Sequence, residues 1–231
     1  VVEVGNFDPE NVQDIRLSRT FRTAVLTDAW IKIDTISGID ASVAVIAGHN
    51  FTNAATIKIQ GNDTDVWTSP TVDETMTWNA DSIVHFFTED NLRFWRFIVT
   101  DAANPDTYIE MGRLFLGTFY QVDEKPQRDF AEEIIDESRS GFSITGQAYV
   151  DIGIQRKEFS ISMGTMQEAT RQNILAVYAS VGTHTPIFVI IDEDNLAVIP
   201  ILYCLMMEAL ENRTIAGYVW QDRAFAFREL K

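Results

Sequence analysis

A mainly β chain carrying one helix, built as two sandwich-like modules, is expected from three features of this sequence. Short apolar runs punctuated by Gly, Asn, Asp and Pro recur through the first half, with no sustained helical period. The run from Phe94 to Val99 carries aromatic or aliphatic residues on both parities, Trp95, Phe97 and Val99 against Phe94 and Ile98, so both faces should be covered. One stretch only, about 165–181, changes to a helical period. A polar, proline-containing break at Val122–Arg128 divides a first domain, 1–122, from a second, 123–231.

The lead-in, Val1–Thr27, has turn chemistry at Asn6–Glu10, and Ile15-Arg16-Leu17 reads as a short strand or arm. That arm could lie across a neighbouring subunit or form an edge strand of the same sandwich. Three strand runs follow between Trp30 and Gln60, separated by Ser37-Gly38 and Gly48-His49-Asn50 and closed by Gly61-Asn62-Asp63. Thr68–Asp81 is polar with Pro70, hence loop, apart from Thr75–Trp78. Ile83–Phe87 is a further strand, and Glu89–Leu92 a turn. Phe94–Val99 then leads through a turn at Asp101–Asp106, where Asn104 precedes Pro105, into Tyr108–Leu116, a terminal hairpin ended by Gly117.

In the second half, Phe142–Thr145 and Tyr149–Ile152 read as strands, and Lys157–Met163 alternates with Phe159, Ile161 and Met163 on one face. Thr165 with Glu168 three residues on makes a capping box. Met166, Ala169, Ile174, Val177 and Tyr178 then fall on one helical face until Gly182 supplies a stop. Pro186–Ile191 reads as a strand buried on both faces, turned at Asp192–Asn195. Ala197–Met207 and Tyr218–Arg228 are the last strands.

Several of these segments carry a family likeness. Ala29-Trp30-Ile31-Lys32-Ile33-Asp34, Val43–Gly48, and Ala55–Asp63 followed by Val66-Trp67-Thr68 stand in the order of the discoidin-like (galactose-binding-like) jelly roll. The closing Glu-Met-Gly-Arg-Leu-Phe-Leu-Gly of 110–117 completes the resemblance over Leu26–Gly117. A discoidin-like half followed by a second β-rich half resembles the tail-tip (distal tail or baseplate) proteins of long-tailed bacteriophages. That resemblance implies a non-enzymatic virion protein, assembled in the host cytoplasm. It would form a symmetric ring or hub, as a homo-oligomer (trimer or hexamer), in contact with other tail proteins. The jelly roll alone implies a rival function, a carbohydrate-binding module for host-surface glycans, because many such domains bind sugars through loops at one end. Trp67 and Trp78 lie at or near such loops and are the candidate glycan contacts, although the family usually packs a Trp at the position of Trp67 against its core.

Composition narrows the classes. Eighteen basic residues, scattered among 34 acidic ones, give a net charge of −16, the wrong sign for phosphate recognition. Such a surface keeps the chain soluble and would repel DNA passing through a channel. No apolar run approaches the ~20 residues that a membrane span needs, and no secretory signal is visible at the start. Cys204, the one cysteine, sits in an apolar run and reads as a buried structural thiol.

Reactive constellations are not evident. His49, His85 and His184 have no metal-ligand spacing; His49 reads as a turn residue and His85 as packed. There is no nucleophile elbow, phosphate loop or dinucleotide fingerprint. Carboxylate pairs such as Glu132-Glu133 and Asp136-Glu137 read as exposed charged loops. Asn62–Asp65 and Asp192–Asn195 offer oxygen ligands, but neither follows the twelve-position calcium loop, and Asx turns account for both. No catalytic residue, cofactor or metal ligand is therefore assigned.

Overall fold

The computed structural model of the chain describes residues 7–122, 130–162, 165–191, 201–207, 212–215, 219–222 and 225–230. It is mainly β with one α-helix and divides into two units, Val1–Phe119 with Ile190–Ile201, and Tyr120–Val189 with Leu202–Lys231.

In the first unit a 3-10 turn, Pro9–Gln13, precedes seven strands: β1 (Phe21–Thr23), β2 (Ala29–Ala47), β3 (Thr56–Asn62), β4 (Val72–Met76), β5 (Ser82–Thr100), β6 (Ile109–Met111) and β7 (Arg113–Gly117). The main sheet runs β4-β3-β5-β2-β7, all antiparallel, and β1 pairs with β6. The two 19-residue strands β2 and β5 create the jelly roll. Their register jumps between Asp34 and Ile39, where Ile36 and Gly38 take positive φ. On one side of the jump, Ala29–Asp34 pairs with Phe94–Val99, next to β3; on the other, Val43–Ala47 pairs with Ser82–Phe86 and with β7. Side chains from both halves, among them Ile31, Trp95 and Phe97 with Ala44, Ile46 and Ile83, meet in one buried cluster. One pair of strands thus lines two walls of a single core.

The loop after β5 turns as expected, tied by a buried carboxylate. Asp101 accepts the Thr52 N–H (2.8 Å), the Thr52 hydroxyl (2.7 Å) and the Asn104 amide (3.1 Å). Other expectations change. Ser37-Gly38 does not separate two strands but bulges one, and Glu89–Leu92 stays within β5, with Leu92 buried in the core. Phe94–Val99 and Tyr108–Leu116 do not form a hairpin. Gly112 breaks the second run, so β6 pairs with β1 and β7 with β2. A Cβ at Gly112 would stand 2.8 Å from the Leu17 carbonyl oxygen, which leaves no room for a side chain there. Ile15–Leu17 is not a strand either; the lead-in pairs through Phe21–Thr23 instead.

The second unit contains β8 (Phe130–Asp136), β9 (Arg139–Phe142), β10 (Ala148–Asp151), β11 (Gln155–Ile161), β12 (Thr165–Met166), α1 (Glu168–Val181), β13 (Ile187–Val189), β14 (Leu202–Met206), β15 (Asn212–Ile215), β16 (Val219–Asp222) and β17 (Phe225–Glu229). A five-stranded sheet runs β13-β14-β17-β11-β8, a three-stranded one β12-β16-β15, and β9 with β10 forms a separate ribbon. Phe159 and Ile161 face Phe227 and Phe225 across the β11–β17 register, and all four are buried, as the alternation of 157–163 requires. Met163 and Asp192–Asn195 lie outside the described residues.

The helix begins later than its capping box implies. Thr165 and Met166 extend as β12 against β16, Gln167 stands at the N-cap without a side-chain cap bond, and Glu168 bonds Arg171 and Gln172. Strand pairing has claimed the residues that a first helical turn would have used. Met166 is therefore a strand residue, buried, and Ala169 is exposed. Gly182 does end the helix, its N–H donating to the Tyr178 carbonyl at 2.7 Å. Pro186–Ile191 is not buried on both faces: β13 is an edge strand, half-buried throughout. Glu132-Glu133 belong to strand β8, not to a loop, and Asn212–Ile215 is a strand that alternation did not mark. The described residues of the expected strand Tyr218–Arg228 fall in two strands, β16 and β17, in different sheets.

Candidate functional site

Two surfaces of the described residues stand out, one in each unit. The first is the outer face of the β4-β3-β5-β2 layer. Because Ile31, Trp95, Phe97, Ile57 and Ile59 point inward, the opposite parity turns Trp30, Lys32, Arg96, Lys58 and Gln60 outward. The β3–β4 loop folds back over this face. Its Asp65 accepts from Lys32 Nζ (2.5 Å) and from the Trp67 indole N–H (2.8 Å), and Trp67 lies against the Arg96 guanidinium at 4.3 Å from the ring centroid. Arg96 Nε donates to Gln60 Oε1 (2.7 Å), whose amide donates to Asp73, which Lys58 also reaches. Trp67 is thus held at two points, the stacked ring and the bonded indole nitrogen, and stays partly open to solvent.

The two candidate tryptophans are not brought together. Trp67 lies on the outer face, on Arg96 and not against the core. Trp78 packs on the inner cluster, and its indole donates to the Phe51 carbonyl (3.0 Å). Trp30, 39% exposed on the same face as Lys32, completes the outer surface. Its parity with Lys32 and Asp34 in the alternating run Ala29–Asp34 was the signal that could have found it.

The second surface is the β9–β10 ribbon. Its register is Arg139↔Asp151, Ser140↔Val150, Gly141↔Tyr149 and Phe142↔Ala148. It prolongs the β8–β11 pair, whose last rung is Asp136↔Gln155, beyond the five-stranded sheet. At the base, the Gly153 N–H donates to Ser138 Oγ (2.9 Å) and the Glu137 N–H to the Ile154 carbonyl (3.2 Å). A Cβ at Gly153 would stand 2.4 Å from the Glu137 carbonyl carbon, so this joint requires glycine. At the tip, the Ser143 N–H donates to the Gln147 carbonyl (2.8 Å) and the Gln147 N–H to Ser143 Oγ (3.0 Å). This bonded turn holds Ile144 wholly in solvent (108% exposed); Ile152 (90%) and Phe142 (78%) are nearly as open, and Tyr149, Val150, Ile154 and Ile134 are exposed as well. The strand expected at Phe142–Thr145 lies earlier, at Arg139–Phe142, with 143–147 closing the turn. The one expected at Tyr149–Ile152 is β10, and among the described residues no core covers either. The available hint was charge: 139–154 contains one Arg and one Asp in a chain with 34 acidic residues.

The histidines do not converge. His49 sits in its turn as expected, stacked on Phe51 (4.5 Å). Its Nδ1 accepts the Phe51 N–H (3.2 Å), so its Nε2 carries the proton donated to the Asn79 carbonyl (3.1 Å). Burial holds its pKa below the ordinary 6.5. His85 is packed beside Phe87, 3.6 Å from Glu74, and His184 is exposed. Burial pushes the Cys204 thiol up to about 12. The Asn62 side chain closes its own loop, accepting from the Asp63 N–H and donating to the Val66 carbonyl, and Asp65 is taken by Lys32 and Trp67. Among the described residues no group of three or more His, Cys, Asp or Glu is placed to hold a metal ion.

No protein-family model matches the sequence, and no curated protein does. Solved structures similar to the chain include three carbohydrate-binding modules. One is CBM32-1 from a family 31 glycoside hydrolase of Clostridium perfringens (11% identity, 51% of this chain and 89% of that one, TM-score 0.41). Another is a fucose-binding module of Streptococcus pneumoniae (11%, 50% and 86%, TM-score 0.40). The third is chitosan-binding module 1 from a chitosanase/glucanase of Paenibacillus sp. (16%, 51% and 89%, TM-score 0.39). Scores of this size leave the jelly-roll description resting on the strand order and register of the chain itself.

Proposed function

We propose that this chain is a non-enzymatic structural subunit of a multi-subunit particle, of the phage tail-tip kind that its sequence resembles. The observation that carries this reading is the ribbon of apolar side chains standing in solvent on the second unit. A soluble protein seldom leaves such a patch uncovered unless another surface is meant to cover it. Subunit contact is the use that fits, because a trimeric or hexameric ring needs each copy to bring an adhesive element. Light scattering of the purified chain tests it: a discrete trimer or hexamer supports the reading, and a monomer at every concentration removes it.

A second reading is favoured by a separate observation, the mount of Trp67. A tryptophan ring held by a guanidinium on one side and by its own indole hydrogen bond is pre-organised, so stacking a sugar ring on it would cost little side-chain entropy. In this reading the jelly roll binds a host-surface glycan. Trp67→Ala would abolish glycan-array binding. Trp78→Ala is the less informative variant, since it opens the core.

A further inference from the structure

Among the described residues nothing covers the β9–β10 ribbon, and we propose that the cover is the same ribbon of a second copy of this chain, arm against arm. The inference rests on the assembly reading above and names its contact. The ribbon continues the β8–β11 pair, but beyond the five-stranded sheet it has only two strands, and a two-stranded stretch with no third strand or packed layer adds little stability of its own in water. Both of its faces carry apolar groups: Phe142 and Val150 share one parity, and Tyr149 crosses Gly141 on the other.

Area, charge and distribution select the occupant. Counted over both faces, the exposed apolar side chains of the arm and its base offer on the order of 800 Å² per copy, so arms that clasp one another through both faces reach what each partner gives to an interface of standard size. Two copies of a chain with net charge −16 repel each other. Within 139–154, however, the only charges are Arg139 and Asp151, cross-strand partners that cancel. The arm is therefore a place where like-charged copies can meet without local repulsion, and it offers no net charge for an acidic or basic partner to read. The other exposed large apolar residues among those described, Ile15, Trp30, Ile36, Val66, Phe119 and Tyr120, are spread along the rest of the sequence and mostly come singly. The surface on a second copy that matches an apolar arm is another arm. About a two-fold axis, as in a hexamer built of dimers, such a contact is self-complementary, and about a three-fold axis one apolar face of each arm meets the other face of the next.

The test uses the full chain. Light scattering compares wild type with Ile144→Asp combined with Ile152→Asp, and circular dichroism checks the fold. The expected result is a loss of self-affinity of tenfold or more with an unchanged spectrum. Ile144→Ser, at the tip and outside both strands, replaces the double variant if that one does not fold. Ile144→Cys, oxidised, should give a covalent dimer on a non-reducing gel, because the buried Cys204 does not compete. A charged variant that keeps the wild-type oligomer overturns the arm contact and leaves the assembly reading standing. Loss of the oligomer without any cross-link at Ile144→Cys also overturns it, since the arm then lies on some other surface. A monomeric wild type removes both.

Discussion

Gly61 faces the ring of Trp95, and a Cβ there would come within 2.7 Å of its Cζ3 and 2.8 Å of Leu92 Cδ1. Trp95 is wholly buried and donates its indole N–H to the Leu92 carbonyl (2.9 Å), so it cannot retreat without losing that bond. Gly61→Ala should therefore cost about 1–3 kcal/mol, the usual penalty for overfilling a packed core, read as a lowered midpoint in urea. His49 gives a pH signature. Its folded-state pKa lies below its ordinary 6.5 because burial disfavours the imidazolium. The unfolded chain then binds the proton more readily, so stability is fully present above pH 6.5 and declines as pH falls below it. Unfolding between pH 7 and 5 should show this slope, and His49→Gln should flatten it. A slope unchanged in the variant would assign the effect elsewhere. At this scale the sequence was partly legible: Cys204 is buried as its apolar neighbours imply, and His85 is half-buried beside Phe87. Trp67 was not, because its ring rests on Arg96 and the Asp65 that holds its indole is itself held by Lys32, both far from it in sequence.

Elements were legible where one local rule acted alone. Alternation located β11, the turn residues Gly61-Asn62-Asp63 closed the run that is β3, and Gly182 located the end of α1. Where a tertiary partner competed with the local rule, the partner won. Thr165-x-x-Glu168 is a sound capping box, yet β16 takes Thr165 into a strand. The consequence can be measured: replacing a true Ser or Thr N-cap by Ala costs roughly 0.5–2 kcal/mol. Thr165→Ala should instead leave helix content unchanged. A clear loss of ellipticity at 222 nm would restore the cap. The long strands β2 and β5 illustrate the same point. Ser37-Gly38 carries turn chemistry, but pairing on both sides of the bulge keeps the chain extended through it.

For the proposed assembly, the balance of charge against apolar area decides how conditions act. An interface made of apolar arms on chains with net charge −16 is opposed by long-range repulsion, which salt screens within ~8 Å at physiological ionic strength. Raising salt from low to physiological strength and beyond should therefore strengthen self-association. An assembly held by ion pairs would loosen instead, so the sign of the salt dependence, measured by sedimentation, separates the two. The glycan reading predicts no such dependence: a sugar on Trp67 is neutral to the arm, and Trp67→Ala should leave the oligomer intact.

Strand content, the single helix and the acidic surface could be read from the chain directly, because alternation, helical period and net charge are properties of neighbours in sequence. Which strands pair, which tryptophan faces solvent and which apolar residues go uncovered depended on contacts across scores of residues. Phe142 and Ile152 look like core residues in their local pattern. Only the absence of a covering layer over β9–β10 among the described residues turns them into a surface.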